Sequence, residues 1–105
     1  MTQKAEPRLS YAALRILRVL VDQPSNLGLA GADIARVTGI LSGTLYPVLA
    51  RLTQAGWLTK HWENLDPREA GRPRRCLYHL TVVGTRLATT ALSKLARSSA
   101  GELHD

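Results

Sequence analysis

The hydrophobic rhythm of this chain changes at Gly56, and that change limits the folds open to it. Before Gly56, the run AGADIARVTGILSGTLYPVLARLTQAGW keeps helical spacing. Ile34 and Ala35 sit in a short helical stretch ended by Gly39; Ile40 and Ser42 then lead into a second helix lined by Leu45, Val48, Leu49, Leu52 and Ala55. A glycine at the turn can take positive φ, and small neighbours let two short helices cross closely, which is the pattern of a helix-turn-helix. After Gly56 the rhythm becomes alternation. WLTKHWE and RRCLYHL read as two strands. NLDPREAGRP between them, with Pro67, Gly71 and Pro73, reads as the long tip of an antiparallel hairpin. A helix pair followed by a basic-tipped hairpin has the order of a winged helix.

The flanking segments are helical. Ser10 is a good N-cap for LSYAALRILRVLVDQ, which is apolar nearly everywhere except a strip at Arg15, Arg18 and Asp22. Such a helix is either central to its own core or buried on two sides, one of them against a partner; the spacing leaves both readings open. Thr81 caps TVVGTRLATTALSKLARSS, where Val83, Leu87, Ala88, Ala91, Leu92 and Leu95 cover about half the circumference. The expected fold is mainly α with a β-hairpin wing. Residues 1–80 form a winged helix-turn-helix, with a flexible arm at 1–8 and a loop at Gln23 to Gly28. Residues 81–99 form a C-terminal dimerisation helix, and 100–105 a frayed tail.

A chain of 105 residues suits one domain, and 45% hydrophobic residues suffice for a core. With no Phe, that core must be aliphatic. A net charge of +6 and a pI near 10.3 favour anionic partners, nucleic acid first. The single Cys76 excludes an internal disulfide and suits a reducing compartment. No apolar run approaches the roughly 18 residues of a membrane span, and Met1 to Arg8 lacks the apolar region of a signal peptide. The expectation is a cytoplasmic protein without a membrane partner.

The helix after the turn offers an unusual face. With Leu45, Val48, Leu49 and Leu52 inward, its opposite side shows Gly43, Pro47 and Ala50, flanked by Thr44, Tyr46 and Arg51. So thin a ridge lets a helix approach the major groove closely, while hydroxyls and a guanidinium reach phosphates and base edges. The helix start at Ser42 adds free N–H groups for a phosphate. On the hairpin tip, Gly71 and Pro73 bracket Arg72, an arrangement expected to present its guanidinium to a minor groove; Arg68, Arg74 and Arg75 lie beside it. Arg74 and Arg75 should face opposite sides of a strand, so one of them faces DNA, and the spacing does not say which. Lys60 could face a phosphate from the first wing strand, although a solvated lysine is the favoured reading, and Arg36 on the first helix of the pair is ambiguous in the same way. Trp57 and Trp62 should face opposite sides of their strand, one in the core.

Chemistry of other kinds finds no foothold. GxSxG, a P-loop, the Rossmann glycines and HExxH are all absent. Glu63, Asp66 and Glu69 lie on a loop unsuited to paired acid–base work, and His61, His79 and His104 show no metal spacing with Cys76. The expectation is a non-enzyme without cofactor or metal.

The run SGTLYPVLARLTQAGWL, then WE, GRPRR, and LTVVG followed by RL resembles the PadR family of bacterial winged-helix transcriptional regulators over roughly residues 10 to 97. Two features depart from that family: Thr53 stands where Glu commonly follows RL, and the single short C-terminal helix is similar to the short subgroup, so any small-molecule effector stays unspecified. The resemblance implies a homodimer. Spare apolar surface on Ile16, Val19, Val83, Leu87, Ala91, Leu92 and Leu95 is consistent with one. The expected function is a sequence-specific double-stranded DNA-binding regulator, a repressor, on an inverted-repeat operator. A winged-helix protein interaction module is the alternative, which Arg72, Arg74, Arg75 and the +6 charge disfavour.

Overall fold

The computed structural model describes residues 9–23 and 28–103, with side chains through 97. The expected arm at 1–8, most of the expected loop (24–27) and His104 with Asp105 lie outside the described residues. Helix α1 (Tyr11–Asp22) starts where the Ser10 hydroxyl accepts from the Ala13 N–H at 3.1 Å. Its wet edge is held by an Arg18–Asp22 pair at 2.9 Å. A two-residue strand β1 (Leu29–Ala30) leads into α2 (Gly31–Thr38), which ends at Gly39 with φ 76°, the left-handed conformation the sequence assigned to that glycine. Helix α3 (Ser42–Gln54), strand β2 (Leu58–Trp62), one helical turn α4 (Pro67–Ala70), strand β3 (Cys76–Leu80) and α5 (Val82–Leu103) complete the order.

The sheet is antiparallel with order β1-β3-β2. Lys60 lies opposite Tyr78, Trp62 opposite Cys76, and Leu29 opposite Tyr78. The fold is a winged helix, with β2 and β3 as the wing. Two details depart from the sequence reading. The loop between the strands contains α4, because Asp66 accepts from the Arg68 N–H at 3.0 Å and Pro67 takes the first helical position. The final helix also runs to Leu103, so the backbone of 100–103 is helical rather than frayed.

Ile16, Leu17, Ile34, Leu45, Leu49, Leu52 and Leu58 are fully buried and meet Trp57 and Ala88. Each such aliphatic side chain contributes about 1.5–3 kcal/mol by leaving water. Helix α1 is therefore central to its own domain, and one expectation is corrected: Ile16, placed on the partner stripe, is 0% exposed and has no surface to share. Leu87, placed on the same stripe, packs partly against this core. Of the two tryptophans, Trp57 is buried and Trp62 exposed.

Helix α5 is tied to the body at its start. The Thr81 hydroxyl accepts from the Gly84 N–H at 2.8 Å and donates to the Gly56 carbonyl at 2.8 Å, while the Thr81 N–H donates to the Trp57 carbonyl at 3.0 Å. Gly84 is buried against that same Trp57 carbonyl. Among the described residues, no helix is long and apolar enough to cross a membrane.

Candidate nucleic-acid interface

The exposed side of α3 is as bare as its sequence suggests. Ser42, Gly43, Thr44, Pro47, Ala50 and Arg51 are all exposed, and a Cβ at Gly43 would meet nothing within 4 Å. Leu41 precedes the helix without a side-chain cap, and the Thr44 N–H turns back to the Leu41 carbonyl at 3.0 Å. Helical geometry thus leaves the N–H groups of Ser42 and Gly43 without intrahelical partners, at the positive end of the dipole. Pro47 is the sixth residue of α3, beyond the first turn, in which a proline costs no hydrogen bond. Its missing N–H would have bonded the Gly43 carbonyl, so that acceptor is left for water on the exposed face.

Tyr46 is 44% exposed but does not project freely. A Cβ at Gly31 would come within 2.6 Å of its ring and 2.7 Å of its hydroxyl, so the ring folds back over the start of α2. Beside it lies a recess of about 230 Å³, lined by Gly31, Ala32, Trp62, Arg75 and Cys76. It brings α2, α3 and the base of the wing together. Trp62, 65% exposed at this recess, is a candidate contact that alternation on its strand marked without ranking.

The wing differs most from expectation. Arg72 does not reach away from the sheet. Its two terminal nitrogens grip the Glu63 carboxylate, Nη1 to Oε1 at 2.7 Å and Nη2 to Oε2 at 3.1 Å. Glu63 also accepts from the Arg75 N–H at 2.9 Å, while its own N–H donates to the Arg75 carbonyl at 2.9 Å. The Arg75 guanidinium lies between two acids, 3.6 Å from Glu63 and 3.5 Å from Asp33 on α2, and Asp33 also pairs with Arg36 at 2.9 Å. Arg74 donates from Nε to the Leu65 carbonyl at 2.9 Å and stays exposed. Arg74 and Arg75 precede β3, so strand alternation does not sort them. Arg51, Lys60 and Arg68 are exposed, with no ion pair among the described residues.

Glu63 is the residue that sequence reasoning passed over as a loop acid. The hydrogen bond from Arg72 holds its carboxyl at about 2, against an ordinary value of 4.5, with the Arg75 N–H adding to the effect and partial burial opposing it. A depressed folded value means that the pairing supports the wing fully above about pH 4.5 and loses that support as the pH falls toward 2. Carboxyl NMR should show a Glu63 midpoint near 2, and hydrogen-exchange protection of the Arg75 amide should fade over the same acid range. A midpoint at the ordinary value would show that the pairing is absent in solution.

On the other face of the sheet, the His61 and His79 rings lie 4.8 Å apart. Burial, then His61, lowers the His79 value. Among the described residues, no cluster of three or more metal-binding side chains forms.

An apolar groove of about 290 Å³ separates the exposed edges of α1 and α5, lined by Leu14, Val19, Leu92 and Leu95 and edged by Arg15 and Arg18. Val83 and Leu95 are exposed, while Val19, Ala91 and Leu92 are half-buried.

Comparisons with known proteins agree with this architecture. The PcaV transcriptional regulator from Streptomyces coelicolor, solved with its natural ligand, superposes with a TM-score of 0.74 at 25% identity, covering 90% of this chain and 61% of that one. This chain thus spans less than two thirds of PcaV. A PadR family transcription regulator from hypervirulent Clostridium difficile gives a TM-score of 0.70 at 17% identity, over 91% of this chain and 100% of that one. The MepR–DNA complex from S. aureus gives 0.67 at 20% identity, over 91% and 72%. Among curated proteins, none matches the chain in sequence. The model of the transcriptional regulator PadR-like family matches residues 16–90, most of the sequence and all of the helix-turn-helix and wing, and the chain belongs to that family.

Proposed function

We propose that this protein is a transcriptional repressor that binds an inverted-repeat DNA operator as a homodimer in the cytoplasm. The observation that carries this reading is the bare, uncapped ridge of α3, from Ser42 to Arg51, on the helix whose Tyr46 shares a recess with Arg75 at the base of the wing. A ridge without bulky side chains admits the helix deep into the major groove, where Thr44 reaches base edges or phosphates and Arg51 the backbone, while Tyr46, folded over the start of α2, meets DNA with its exposed edge. MepR, which shares this fold and was solved in complex with DNA, supports a DNA-binding reading. Val19, Val83, Leu92 and Leu95, with Ala91 between them, supply the apolar surface for a two-fold contact. That contact would set two α3 helices about 34 Å apart. Residues 1–80 then act as the DNA-binding part and the helix from 81 onward as the dimerisation part. A small-molecule effector would enter between the C-terminal helices of the two subunits.

Selection of binding sites from random duplex DNA, followed by footprinting, tests the proposal. The expected result is an enriched inverted repeat protected over two half-sites. Arg51, Arg74 and one further wing arginine per subunit, six contacts per dimer, give an expected log–log salt slope of about −5. No enrichment, or affinity indifferent to salt, would favour the interaction-module reading instead.

A further inference from the structure

We infer that Glu63 acts as an internal stand-in for a DNA phosphate, holding the wing arginines in place and lowering the affinity of the free wing for non-specific duplex. The inference rests on the DNA-binding reading above and adds a regulatory residue to that site. Its basis is the geometry of one carboxylate. Both terminal nitrogens of Arg72 are committed to Glu63 at 2.7 and 3.1 Å, and the Arg75 guanidinium sits 3.6 Å from it. A guanidinium grips a carboxylate and a phosphate with the same two-nitrogen fork, so Arg72 cannot hold both at once. The Glu63 side chain is only 13% exposed; its carboxylate accepts from the Arg75 N–H while its own N–H donates to the Arg75 carbonyl, so the acid is built into the wing.

Charge points the same way. Residues 63–75 carry Arg68, Arg72, Arg74 and Arg75 against Glu63, Asp66 and Glu69, so the wing has an excess of one positive charge despite its arginine-rich sequence. Asp33 draws Arg75 further, from α2. DNA must therefore displace Glu63 before Arg72 contributes a phosphate contact, and that exchange subtracts from the affinity of any duplex that offers the wing phosphates alone. A positioning acid of this kind orders the arginines and restrains them together.

The test uses the full chain and a random-sequence duplex, with binding measured by fluorescence anisotropy over a salt series. Glu63→Gln keeps an acceptor for the Arg75 N–H but removes the charge that holds the fork. It should raise affinity for random duplex at least about threefold at low salt and steepen the salt slope by about one per released arginine. Glu69→Gln is the control: it makes the same charge change on the same wing, on an exposed side chain without an arginine partner among the described residues. Equal gains from the two variants would overturn the inference, because net charge alone would then explain them. A loss of affinity in Glu63→Gln would overturn it too, showing that the acid only builds the wing. Arg72→Gln supplies a second reading that does not depend on how well Glu63→Gln folds. If Arg72 is occupied by Glu63, its loss should change random-duplex affinity less than twofold in the parent, whereas a larger loss would show that it contacts DNA freely. A parent protein that binds no duplex at low salt would fail the DNA reading itself, and this inference with it.

Discussion

Gly84→Ala should destabilise the protein by about 3 kcal/mol, the upper end of the usual cost of overpacking. The direction is opposite to what helix propensity alone would give. Alanine inside a helix is favoured over glycine by about 1 kcal/mol, and Gly84 lies within α5. Packing decides the sign, because a Cβ at 84 would sit 2.0 Å from the Trp57 carbonyl oxygen and 2.7 Å from its carbon. That carbonyl is backbone, and it already accepts from the Thr81 N–H at 3.0 Å, so neither partner can swing aside. To admit the methyl, α5 must lift from the turn after α3, breaking the hydroxyl bond of Thr81 to Gly56 and opening the contact at Ala88, which is 0% exposed. Against a total stability of about 5–15 kcal/mol the change is large. Urea unfolding of the two proteins measures it directly. Gly43→Ala is the companion: it is also a helical glycine, but its Cβ would meet nothing within 4 Å, so stability should hold or rise. Equal behaviour of the two variants would show that α5 does not seat on Trp57 as described.

The difference between those glycines marks what the sequence can disclose. Local rules reached Gly39, Ser10 and Thr81, because a left-handed C-cap and a hydroxyl N-cap depend on a few neighbouring residues. They reached the face of α3 for the same reason: burial of Leu45, Val48, Leu49 and Leu52 dictates which residues remain outside. They could not reach Gly84, whose requirement comes from a carbonyl 27 residues away. Glu63 eluded them likewise, since nine residues and a helical turn separate it from Arg72, and only the register of β2 with β3 brings the two together. A wheel drawn for α1 shows where apolar residues lie but not how many neighbours surround them. The wheel therefore puts Ile16 on a free stripe, although α2, α3 and α5 all pack against α1 and bury it. The family resemblance, carried by GTLYPVLARL and GRPRR, spans these local and distant features alike, which is why it named the fold before any contact was visible.

Leu95→Asp should convert the protein from dimer to monomer and weaken operator binding on the order of 100-fold or more. Leu95 is 42% exposed on α5 and stands outside the buried core, so an aspartate there leaves the folded subunit intact. It lines the groove with Leu14, Val19 and Leu92, where apolar surface from two helices is continuous and no segment among the described residues fills it. In the proposed dimer, a second copy covers that surface, and a carboxylate at 95 must then either be desolvated without a partner or hold the copies apart. The effect on DNA exceeds the effect on assembly because the second half-site is bound intramolecularly in a dimer. Losing that linkage forfeits the effective concentration, commonly worth a factor of 10² to 10⁴. Thr90→Asp adds the same charge to an exposed position of the same helix, away from the groove lining, and should leave both mass and affinity unchanged. Sedimentation equilibrium at micromolar concentration, with binding to a full operator and to a half-site, separates the outcomes. A folded Leu95→Asp protein that still sediments as a dimer would move the interface away from this groove. A monomer that keeps full operator affinity would show that one α3 helix and one wing suffice, and that the operator need not be an inverted repeat.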